Sequence, residues 1–122
     1  MNVMTRTRGM DASDALVRYC ERRFTFALDR FRTVARVGVR LDEIGPRVAR
    51  CLAIAHVDGH PPIVVRVADG DAYGDAYGVV DLAAAKLAAA VARTLSRTLR
   101  ERVVAPLRES RRSRRRARVS GS

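Results

Sequence analysis

Three aspartates, Asp69, Asp71 and Asp75, sit in DGDAYGDAYG, where the unit Gly-Asp-Ala-Tyr occurs twice in tandem. Carboxylates at that spacing could hold a hard cation or work as an acid and base pair. Asp69, Asp71 and Gly74 match the first, third and sixth positions of a calcium-binding loop, but Tyr73 and Val80 stand where the fifth and twelfth must offer oxygen. Two essential ligands are therefore missing. An alanine-rich run follows, and the N-terminus of a helix favours negative charge, so the acidic cluster is expected to open a helix, with Asp71 or Asp75 as its cap. Cys51, His56 and His60 are the remaining candidate ligands. Cys51 and His56 lie an odd number of residues apart in a strand-like stretch, which sends their side chains to opposite faces. No GxSxG, P-loop or HExxH pattern occurs, so the chain is expected to be non-enzymatic, with no metal and no cofactor.

What the sequence does offer is positive charge. The formal net charge is +11, which points to a polyanionic partner, but it is unevenly spread. Arg97 to Arg118 holds ten arginines and two glutamates, or +8, leaving +3 for everything before it. Helical spacing puts Lys86, Arg93, Arg97 and Arg100 on one face, at intervals of 7, 4 and 3, and Arg18 and Arg22 one turn apart on another helix. These are candidates for phosphate contact; a solvated helix face is the plain alternative. With 5% aromatic residues and no tryptophan, a base-stacking platform is not expected; Tyr73 and Tyr77 could each stack on one base, although Tyr77 is expected in the core.

The elements that must position these cations follow from periodicity. Asn2 to Thr7 predicts a short strand, and Ser13 an N-cap for a helix over about 13–32, with Leu16, Tyr19, Cys20, Phe24, Ala27 and Phe31 along its apolar side. RVGVRL alternates with period two, DEIGPR reads as a turn, ARCLAIAHV as a strand, DGHPP as a turn and IVVRV as a strand, which together predict an antiparallel meander. Tyr77, Val80, Ala84, Leu87, Val91 and Leu95 then mark the apolar stripe of a last helix. At 122 residues the chain suits one domain, here residues 1–103, followed by a basic tail over 104–122. RESRRSRRRARVSGS has no apolar period and is expected to be disordered when free. No window approaches the roughly 20 apolar residues of a membrane span, and Cys20 and Cys51 lack disulfide spacing, so buried thiols in the cytoplasm are expected.

This order, strand, helix, three strands, helix, resembles the ribosome hibernation promoting factor and ribosome-associated inhibitor family, also named for an effect on an alternative sigma factor. The resemblance covers residues 1 to 100 or so. It is carried by MNVMTR, by SDALVRYCERRF, and by DAYGVVDLAAAKL (Asp75 to Leu87), which has the aspartate, variable residue and tyrosine and the later lysine-leucine pair of the family's last helix. It makes the first GDAY an insertion. It implies an α+β fold, β-α-β-β-β-α, with a four-stranded sheet and two helices on one face, like a double-stranded-RNA-binding domain. It further implies binding to the small ribosomal subunit and its RNA in the decoding region, as a monomer, without the C-terminal domain through which long members pair ribosomes. Arg8, Arg23, Lys86 and Arg93 stand where that family has basic residues, and with Arg18, Arg22, Arg97 and Arg100 they complete the candidate RNA-binding set. Phe26 and Asp29 depart from it, standing where lysine is common in the family, and LAAAVA lacks a further basic residue between Lys86 and Arg93. Two other readings are open: a general structured-RNA or DNA-binding module with a basic arm, and a protein-interaction regulatory module. Steep weakening by salt would mark phosphate contacts and set the nucleic-acid readings apart from the last.

Overall fold

The computed structural model describes residues 1–8, 14–44, 47–68 and 76–120. The elements are β1 (Asn2–Arg8), α1 (Asp14–Leu28), β2 (Val34–Ile44), β3 (Arg47–Val57), β4 (Ile63–Ala68) and α2 (Ala76–Ser120). Met1–Val91 forms one compact unit and Ala92–Ser122 a second.

The four strands make one sheet in the order β1-β2-β3-β4. A helical crossover returns the chain in the direction it left, so β1 and β2 are parallel, whereas the β2–β3 and β3–β4 pairs, whose strands are separated by only a few residues, are antiparallel. The turn between β3 and β4 is DGHPP: the His60 amide donates to the Val57 carbonyl at 3.1 Å, and Gly59 takes φ 78°, a conformation that favours glycine.

The first unit's core lies on one face of the sheet. Val37, Val39 and Leu41 of β2 and Cys51, Ala53, Ala55 and Val57 of β3 are buried, while their alternate neighbours are not. The helical residues buried with them are Leu16, Cys20, Phe24 and Leu28 of α1 and Val79, Val80, Ala83, Ala84, Leu87 and Val91 of α2. Both helices therefore cover the same face. The small side chains of Ala83 and Ala84 let α2 approach closely, and large ones such as Phe24 and Leu87 fill the volume left.

Three expectations need correction. The first helix ends at Leu28 rather than near residue 32, because the Phe31 amide donates to the Leu28 carbonyl and the Val34 amide to the Phe31 carbonyl, turning the chain directly into β2. The stretch DEIGPR is mostly strand: β2 runs to Ile44 and β3 begins at Arg47, with a register shift between Asp42 and Glu43. Tyr77 is not core. It is 37% exposed and meets the Tyr19 ring edge-on, with centroids 4.8 Å apart. The expected caps Ser13, Asp71 and Asp75 and the first GDAY unit lie outside the described residues.

Candidate nucleic-acid interface

The expected RNA-binding residues are distributed over several surfaces. Arg18 and Arg22 are exposed on α1, on the side away from Leu16, Cys20 and Phe24, and Lys86 is exposed on α2 beside the equally exposed Ala85. In the second unit Arg93 and Arg97 are exposed and border a shallow cleft with Ala92 and Ser96. The side chain of Arg100 lies outside the described residues. Arg8 closes β1 and is exposed, but strand alternation puts it on the side of Met4 and Arg6, the sheet face without helices. It is thus separated from the cations of α1.

Arg23 is placed differently again. Its Nε donates to Asp81 Oδ1 at 3.2 Å, and the Tyr19 hydroxyl donates to the same oxygen at 2.5 Å. With Tyr77 against Tyr19, the four side chains tie the first two turns of α2 to the middle of α1. Part of the charge of Arg23 is neutralised there, although the pair is open to solvent, with the two side chains 31% and 46% exposed. Asp81 is the residue that sequence reasoning missed. It stands 58 positions from Arg23, so no local spacing could reveal the contact.

The two thiols play no part in this surface. Cys20 and Cys51 are buried and free, and burial pushes them up to about 11 and about 12, so both are protonated at neutral pH. Cys51 faces the core while His56 is half-buried on the opposite side of β3, as their odd spacing requires. Among the described residues no helix is long and apolar enough to cross a membrane.

The layout is that of an α+β domain that keeps its chemistry on its surface: two helices on one sheet face, with cations on their outer sides. A family model described as sigma 54 modulation protein / S30EA ribosomal protein matches residues 3–99, and the chain belongs to that family of ribosome-associated modulation proteins. The fold is similar to a ribosomal subunit interface protein from Coxiella burnetii, with TM-score 0.62 and 18% identity over 79% of this chain and 99% of that one. It is also similar to the N-terminal domain of Protein Y from Thermus thermophilus, with TM-score 0.58 and 24% identity over 76% of this chain and 94% of that one. No curated protein sequence matches the chain.

Proposed function

We propose that this protein binds small-subunit ribosomal RNA in the decoding region and blocks the access of messenger and transfer RNA, so that idle ribosomes are held inactive. The observation that carries the reading is the set of exposed helical cations, Arg18, Arg22, Lys86, Arg93 and Arg97, in a member of a ribosome-associated family. Residues 1–103 would form the binding domain and 104–122 a basic arm, acting as a monomer in the cytoplasm. The action is steric and involves no bond making. Affinity comes from cations replacing the counterions of RNA phosphates, and an arginine fork grips a phosphate through two parallel hydrogen bonds. An almost lysine-free chain therefore keeps its means of binding. Arg8 and Arg23 stay in the proposed set, Arg8 from the end of β1 and Arg23 in partnership with Asp81.

The test is co-sedimentation of the full chain with purified small subunits. Replacing Arg18, Arg22 and Lys86 together with alanine removes three exposed cations and no core side chain. The slope of log K against log salt should become shallower by about 2 to 3, with unchanged circular dichroism. An unaltered slope and affinity would remove these residues from the site.

A further inference from the structure

The sheet face without helices carries an organised pattern of its own. Strand register lines up Arg6, Arg40, Leu52 and Arg66 as neighbours across all four strands. The next row on the same face is apolar, Met4, Gly38, Ile54 and Val64, and beyond it Arg36 stands beside His56. Two rows bearing arginine thus bracket an apolar one, each about 7 Å away along the strands. Met4 and Val64 are 53% and 41% exposed, and a cleft of about 410 Å³ opens over Gly38 between Met4, Arg36, Arg40 and Ile54. A Cβ built on Gly38 would meet nothing within 4 Å, so the glycine leaves a gap in the middle of the apolar row.

The charges on this face are not balanced internally. Arg6 and Arg40 are directly paired across β1 and β2, an arrangement of like charges that costs stability. Among the described residues of the face, Asp42 is the sole acid. Its Oδ1 is 3.3 Å from Arg40 Nε, within ion-pair distance but without hydrogen-bond geometry. A partner with carboxylates or phosphates would relieve this repulsion. His56 is the one ring in these rows, so beyond its imidazole and the guanidinium planes the face has no aromatic platform for successive RNA bases. The exposed apolar row, by contrast, would gain from covering by an aliphatic group, which RNA does not supply.

We infer that this face is a docking surface for an acidic protein segment that places an aliphatic side chain in the Gly38 gap and carboxylates against the Arg6, Arg40 and Arg36 guanidinium groups. The surface is on the other side of the sheet from the helical cations of the proposed ribosome contact; of that proposed set only Arg8, paired with Asp42, borders it, and the inference does not depend on that reading.

The experiment uses the full chain and a short fluorescein-labelled peptide alternating glutamate and leucine, with polyglutamate and a uridine oligonucleotide as comparison probes. Anisotropy should show the alternating peptide binding more tightly than polyglutamate, and the Gly38 amide resonance should move on titration. Gly38→Leu, at a position where a Cβ meets nothing within 4 Å, occupies the gap and should weaken the peptide at least about tenfold, since its anchor loses burial. Arg6→Glu with Arg40→Glu, which leaves the apolar row intact, should weaken it by a similar factor. Equal binding of the two peptides, or peptide shifts confined to α1 and α2, would overturn the inference. So would a face that takes the uridine oligonucleotide in preference and loses it in these variants.

Discussion

Replacing Asp81 with asparagine asks what the charge of Arg23 is worth to binding. Asparagine keeps an oxygen for the Tyr19 hydroxyl and for Arg23 Nε but removes the negative charge, so the local geometry should survive. At 3.2 Å two unit charges interact by about 1.3 kcal/mol at the permittivity of water. Because both side chains are partly solvated, the pair itself should contribute at most about 1 kcal/mol to stability, and urea melts should shift by no more than that. On the proposed reading the same charge works against binding, since it would compete with phosphate for Arg23. Its removal should tighten co-sedimentation with small subunits by up to about fivefold at low salt. It should also steepen the slope of log K against log salt by about 0.7 to 0.9, the signature of one additional phosphate contact. Weaker binding by a correctly folded Asp81→Asn protein would refute the reasoning, because it would mean that Asp81 presents Arg23 to the RNA rather than restraining it.

The remaining predictions concern the core. Phe24, fully buried between α1 and the sheet, should cost about 3 to 5 kcal/mol when replaced by alanine, read as a lower urea midpoint with little change in m-value. The buried thiols should make stability fall on the alkaline side. Their folded-state values lie above 9.0, at about 11 and about 12, so their contribution is complete below pH 9 and is lost as pH rises through those values. Each thiol should account for about 1.4 kcal/mol per pH unit in that range, and Cys51→Ala should flatten the urea-midpoint profile between pH 9 and pH 10; an unchanged profile would show that another group is responsible.

Much of the architecture was legible because burial on one face leaves a periodic trace. The alternation through Val37, Val39 and Leu41 and the helical stripe through Val80, Ala84, Leu87 and Val91 both mark buried positions correctly. Boundaries were less legible. Glycine and proline at 45 and 46 suggested a broad turn, yet the strands close almost up to them, because ladder pairing can extend through polar residues such as Asp42 and Arg50. Tyr77 shared the period of the stripe but falls at the beginning of α2, where it is partly exposed and meets the ring of Tyr19. The exposed cations Arg18, Arg22 and Lys86 could be read from spacing alone. The Arg23–Asp81 pair and the row through Arg6, Arg40 and Arg66 could not, since they depend on how α1 meets α2 and on the register of four strands. Neither leaves a local signal in the sequence.

The most direct test of the central claim is competition on the small subunit. The full chain is bound to purified subunits at low salt, and transfer RNA with a short messenger is titrated against it. Displacement in proportion to transfer RNA, with affinity that falls steeply as salt is raised, is the predicted result. Simultaneous binding of the protein and transfer RNA to one subunit would contradict the account, because two occupants of the decoding region cannot share it.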